Sequence, residues 1–250
     1  MKHLKYLRLL AALLLLTGCV SSKKLLYFQD NEQIQLKDTL VNFEPALQPG
    51  DLITINVSAN DPVSAQTFNL YEANIDNNIP RMLPYLVDSE GNINFPVLGK
   101  LQVGGRTNQQ ISNDITEALN TYLVAPIVNV RLTNFKITVM GEVQKPGTYA
   151  VPNERLTIVE ALGLAGDLNI QAKRHNITLI REHEGKRAFF EVDLTNKALF
   201  NAPYYYLAQN DVIYVEPNKT KINSSVVGAN TSVILSSLGI LISFITLFSL

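Results

Sequence analysis

The chain has 250 residues, 46% of them hydrophobic and 17% charged, with 21 basic against 22 acidic side chains. That is enough apolar material for one or two packed domains. A near-neutral balance with no long basic run argues against nucleic acid as a partner.

Lys2, Lys5 and Arg8 precede the apolar run Leu9 to Leu16, which ends in Thr17-Gly18-Cys19. A basic start, a short greasy stretch and small residues form the layout of a secretory signal over residues 1–18, too short to persist as a spanning helix. Leu16-Thr17-Gly18-Cys19 resembles the lipobox of bacterial lipoproteins, in which cleavage before the cysteine leaves its thiol carrying diacylglycerol. Cys19 is the single cysteine of the chain, so no internal disulfide can form. Removing the three basic residues of the signal leaves 18 basic against 22 acidic, a net charge of −4. Residues 19–46 are polar and irregular, with Tyr27-Phe28 as an aromatic pair, and are expected to form a lipidated tether.

Folded structure is expected from Pro49-Gly50-Asp51, a turn, into a half-buried strand in which Ile53, Ile55 and Val57 alternate with polar residues. Residues 61–84 read as loop. Asp88-Ser89-Glu90-Gly91 turns into a short hairpin through Ile93, Phe95 and Val97, and Thr107 with Gln110 forms a capping box. Ile111, Ile115, Ala118, Leu119 and Tyr122 then recur at helical spacing, and Val128, Val130 and Leu132 revert to strand alternation. The second half repeats the plan, with strand residues 137–143, a turn at Pro146-Gly147, and a second capping box from Thr157 to Glu160. Leu47-Gln48-Pro49-Gly50-Asp51 and Leu207-Ala208-Gln209-Asn210-Asp211 share a Leu-to-Asp interval with a left-handed-tolerant residue before Asp. The fold class expected is α+β: tandem small β-rich modules over 47–134 and 135–218, followed by a C-terminal transmembrane helix within 224–250.

From Val233 to Leu250 the chain is almost wholly apolar and would span about 27 Å as a helix, near a thin bilayer's hydrocarbon. Ser232, Ser236, Gly239, Ser243 and Thr246 fall on one face of it. Such a stripe serves helix packing or pore lining; alternatively, the hydroxyls bond back to their own helix carbonyls.

Leu47-Gln48-Pro49-Gly50-Asp51-Leu52-Ile53, the run Gly91 to Gly99 with Val103, Gly105 and Thr107, and Pro126-Ile127-Val128-Asn129-Val130 resemble the export domain of bacterial outer-membrane polysaccharide export lipoproteins. Val139 to Val143, Pro146 to Tyr149, Ala161 to Gly166 and Asp211 to Val215 resemble the soluble-ligand-binding β-grasp domain that follows it in that family. The resemblance implies a periplasmic body held at the outer membrane by lipid on Cys19, assembling into a ring, commonly an octamer, that forms an export channel for capsular or exopolysaccharide. The implied partner is an inner-membrane polysaccharide copolymerase, often a tyrosine autokinase. Enteric relatives carry a second β-grasp unit, and one is found here, so a shorter vestibule is expected. The rival reading is a membrane-tethered periplasmic scaffold or polysaccharide-binding protein without a pore.

No HExxH, G-x-S-x-G, phosphate loop or Cys/His cluster occurs, so neither catalysis nor a metal or cofactor is expected. His175, His183 and the pair Lys173-Arg174 read as solvated. Tyr204, Tyr205 and Tyr206 are candidate sugar-contact residues, with core or interface packing as the plainer alternative.

Overall fold

The computed structural model describes residues 25–29, 45–72, 80–153, 155–183, 185–227 and 230–248. The signal region, Cys19 and most of the tether lie outside the described residues.

The first module is built on β1 (Leu52–Ser58), whose alternation puts Ile53, Ile55 and Val57 on one buried face. The short helix α1 (Pro62–Gln66) follows, capped by the Asp61 carboxylate. Two-residue strands β2 (Tyr71–Glu72) and β3 (Arg81–Met82) pair with each other, so the stretch read as loop carries sparse order. Strand β4 (Tyr85–Leu86) pairs antiparallel with one edge of β1. A hairpin of β5 (Asn92–Phe95) and β6 (Gly99–Gln102) comes next, then helix α2 (Asn108–Leu119) with its Thr107–Gln110 capping box. The helix buries Ile111, Ile115 and Leu119, one stripe at helical spacing. Strand β7 (Ile127–Leu132) closes the sheet antiparallel on β1, with Ile55 opposite Val130. Each large aliphatic side chain so buried stabilises by roughly 1.5–3 kcal/mol.

The second module is built of β8 (Lys136–Gly141), β9 (Gly147–Ala150), β10 (Ala172–His183), β11 (Lys186–Val192) and β12 (Val212–Pro217). They form one five-stranded sheet in the order β11-β10-β12-β8-β9. Helix α3 (Ile158–Leu164), opened by the Thr157–Glu160 capping box, covers one face. The parallel pairing of β12 with β8 places Val215 beside Gly141. All other neighbours in this sheet are antiparallel. Leu132 packs against the cores of both modules.

Two helices follow β12: α4 (Lys219–Val227) and α5 (Asn230–Phe248). Here the sequence reading is corrected, because among the described residues no helix is long and apolar enough to cross a membrane. Helix α5 opens on three polar residues, Asn230, Thr231 and Ser232, and its apolar residues are interrupted by Ser236, Ser237, Gly239 and Ser243. The α+β class with two β-rich modules stands; the transmembrane helix does not.

Candidate functional site

Two turns of one design face each other where the modules join. In the first, the Asp51 carboxylate accepts the Gln48 N–H at 2.8 Å, the Asp51 N–H donates to the Gln48 carbonyl, and Gly50 sits at φ 90°. In the second, the Asp211 carboxylate accepts the Ala208 N–H at 2.8 Å, the Asp211 N–H donates to the Ala208 carbonyl, and Asn210 sits at φ 64°. Gly and Asn are the residues that take this left-handed conformation at least cost. Leu47 and Leu207 are buried beneath their turns, as are Asp51 and Asp211. Burial raises the Asp51 carboxyl above its ordinary range against the pull of the Gln48 N–H. It also raises the Asp211 carboxyl, opposed by Arg181, whose Nη2 lies 2.7 Å from Asp211 Oδ2.

The connecting residues 133–136 run between these turns and are held by both. Asn134 accepts the Leu52 N–H at 2.9 Å and donates to the Gly50 carbonyl at 3.2 Å. Gln209 accepts the Lys136 N–H at 2.8 Å and donates to the Asn134 carbonyl at 2.9 Å. An amide side chain offers both a donor and an acceptor, so one Gln satisfies two backbone groups of an extended connector. At 6% exposure, Gln209 makes these bonds away from competing water. The joint is therefore a hydrogen-bonded clamp and not a loose linker.

Beside the clamp lies a cleft of about 620 Å³, lined by Gln48, Glu90 and Gln102 of the first module and by Glu182, Gln209 and Asn210 of the second. Gly91 and Gly104 pack so closely at its floor that a Cβ on Gly104 would lie 2.8 Å from the Gly91 Cα. Among the described lining residues there is neither an aromatic nor a basic side chain. No group of three or more His, Cys, Asp or Glu among the described residues is placed to hold a metal.

A second feature is a clip formed by residues 25–29. Phe28 donates its N–H to the Leu194 carbonyl at 3.0 Å, and Gln29 does the same to Thr195 at 2.8 Å. The Phe28 ring meets Phe200 at 5.0 Å between centroids. Tyr27 donates its hydroxyl to Asp167 Oδ1 at 2.7 Å, and the Arg174 guanidinium lies over its ring at 5.4 Å. Burial, reinforced by the Asp167 carboxylate, pushes the Tyr27 phenol up to about 12. The aromatic pair expected in a free tether is thus bound to the second module. Arg174, expected to be solvated, is 7% exposed beneath that pair, whereas His175 is exposed.

The remaining candidate residues fall in separate places. Tyr204 packs on Phe190 and donates to the Glu191 carbonyl. Tyr205 meets Phe200 and Tyr206 edge-on, and Arg155 lies over the Tyr206 ring. All three rings are half-buried and engaged within the module. Ser236, Gly239 and Ser243 lie on an exposed face of α5 beside Ile240 and Phe244. Ser243 donates to the Gly239 carbonyl of its own helix. The side chains of Ser232 and Thr246, like Cys19, lie outside the described residues.

Residues 41–133 match the model of the family described as polysaccharide biosynthesis/export protein, and residues 135–215 match the SLBB domain. The chain carries a polysaccharide biosynthesis/export domain followed by an SLBB domain. The clamp therefore joins an export domain to an SLBB domain, and Asn134 stands between the two matched segments. The chain is 29% identical over 143 residues to the EPS I polysaccharide export outer membrane protein EpsA of Ralstonia solanacearum, covering 56% of this chain and 38% of that one. It is also 29% identical over 128 residues to the protein of the same name from Ralstonia nicotianae, covering 48% of this chain and 34% of the other. The chain thus spans well under two thirds of the length of these relatives. The paired Leu-to-Asp intervals were the one sequence signal pointing toward the joint. Asn134, Gln209 and Arg181 carried none, because their partners are distant in the chain.

Proposed function

We propose that the chain is a subunit of a homo-oligomeric conduit that exports a capsular or extracellular polysaccharide at the outer membrane. The observation that carries this reading is the succession, in one clamped body, of an export domain and an SLBB domain, with relatives named for polysaccharide export at the outer membrane. A fixed angle between the domains suits a closed ring, since each copy must present the same two surfaces to its neighbours. Lipid on Cys19 holds the body to the membrane from the periplasmic side, as the lipobox-like Leu16-Thr17-Gly18-Cys19 supports. The exposed Ser236, Gly239 and Ser243 face of α5, with Ser232 and Thr246 in sequence register, is read as a packing face between copies. An inner-membrane copolymerase, of the type that is often a tyrosine autokinase, is the partner that delivers the chain. The protein acts as a transporter and not as an enzyme, and movement of the polymer is driven from elsewhere.

A second reading, a lipid-tethered scaffold or polysaccharide-binding protein without a pore, is favoured by one observation: no described helix is long and apolar enough to cross the membrane. The two readings share the lipid anchor, which is tested by Cys19→Ser. The variant is expected to lose incorporation of labelled palmitate, to move from the membrane to the soluble periplasmic fraction, and to lower surface polysaccharide severalfold. Undiminished palmitate incorporation, or full export without it, contradicts the anchor.

A further inference from the structure

The segment before the export domain and the segment after the SLBB domain meet at one corner of the SLBB domain. Loop 167–171 receives the N-terminal clip through Asp167, which accepts the Tyr27 hydroxyl, and the start of the C-terminal helices through Gln171, whose carbonyl accepts the Asn218 N–H at 2.7 Å. Arg174 ties the same loop from beneath, donating to the Asn169 carbonyl while it lies over Tyr27. The clip begins at Leu25, six residues after Cys19, a reach of about 20 Å when fully extended. A lipid on Cys19 would therefore hold this corner, and not the export domain, against the bilayer.

The chemistry of the corner fits that neighbour. Ile170, at the middle of the loop, is 71% exposed, and Leu164, at the end of α3, is 48% exposed. Three lysines lie on the adjoining segments, one of them, Lys221, paired with Glu142. Lys145 donates its N–H to the Ala165 carbonyl, and Lys219 and Lys221 open α4 directly after Asn218. The acidic groups in the corner are engaged: Asp167 by Tyr27, Glu142 by Asn169 and Lys221, and Glu216 by Lys173. Exposed aliphatic side chains with lysines on adjoining segments are the composition of surfaces that sit in the headgroup region, where apolar tips enter the acyl boundary and ammonium groups meet anionic lipid.

We propose that loop 167–171, with Ile170 and Leu164, is a lipid-contact surface through which the SLBB domain rests on the membrane. This rests on the reading that Cys19 is acylated. It adds that the body lies against the leaflet at a defined corner instead of swinging from its tether. Ile170 enters about 5–10 Å into the headgroup and acyl boundary.

The chain contains no tryptophan, so Ile170→Trp introduces a single indole. The acylated full-length variant, reconstituted into vesicles of phosphatidylethanolamine and phosphatidylglycerol, is expected to show blue-shifted emission. It should lose most of that emission when the acyl chains are brominated. Val124→Trp, at a 75% exposed site of the export domain, is expected to show neither effect, and circular dichroism of both variants checks that the fold is kept. Protein that floats with the vesicles while its indole at position 170 stays unquenched overturns the lipid-contact surface and leaves acylation standing. A blue shift without quenching assigns the surface to a neighbouring protein copy and equally overturns it. Protein that fails to float overturns both readings.

Discussion

Gly141→Ala is expected to unfold the SLBB sheet at or near physiological temperature, at a cost upward of about 3 kcal/mol. Gly141 ends β8 at φ 94°, a conformation that a side chain opposes, and it lies beside Val215 in the parallel pair of β8 with β12. A Cβ there would sit 2.1 Å from the Val215 carbonyl oxygen and 3.0 Å from its carbon. Both are backbone atoms of a central strand, so relief requires the strands to part, and the Glu142 N–H would lose its bond to the same Val215 carbonyl. Gly163→Ala is the matched control. It lies within α3 with nothing inside 4 Å of the added carbon, and it should be neutral or stabilising by roughly 0.5–1 kcal/mol. Thermal melts of the two variants followed by circular dichroism separate them; equal melting temperatures would refute the close approach of the two strands.

The second large effect is expected for Asp211→Ala. The Asp211 side chain is fully buried, and the side chain of its partner Arg181 is 16% exposed. Arg181 also donates to the Tyr206 carbonyl at 2.9 Å, so the guanidinium stays in place when the carboxylate is removed and is left as an uncompensated buried charge. The turn loses its bond from the Ala208 N–H at the same time. The cost should be about 3–5 kcal/mol, with part of it recovered in the double variant Asp211→Ala/Arg181→Met, which removes both charges. Separating the exposed Lys100 and Glu90 pair should cost no more than about 1 kcal/mol. Denaturant melts that gave both pairs the same small cost would contradict the buried clamp.

The parts of this molecule legible from sequence are those decided within a few residues. The capping boxes at Thr107 and Thr157 stand as read, because each closes over three residues. The alternation of Ile53, Ile55 and Val57 likewise identified the buried face of β1. What escaped depends on partners far along the chain. The parallel pairing of β12 with β8 joins Ile213 to Val139 across 74 positions, and no local pattern announces it. Tyr27 and Phe28 read as tether because their partners, Asp167, Leu194 and Phe200, lie more than a hundred residues on. Arg174 read as solvated because charge alone does not reveal an aromatic lid arriving from the N-terminus. The terminal helix departs from its sequence expectation for a different reason. Its apolar residues dominate a hydropathy count, whereas Ser236, Ser237 and Ser243 interrupt them along the described helix, and no described helix is long and apolar enough to cross a membrane. The joint lay between these cases: the Leu47-to-Asp51 and Leu207-to-Asp211 intervals showed two similar turns, and only the fold placed Asn134 between them.

The central claim is assembly into a ring, and the mass of the acylated protein extracted in mild detergent tests it most directly. Light scattering corrected for bound detergent, with particle images of the same fraction, is expected to show one closed species of several copies around a central opening. A monodisperse monomer or dimer at the same protein concentration would contradict the conduit and leave the tethered scaffold.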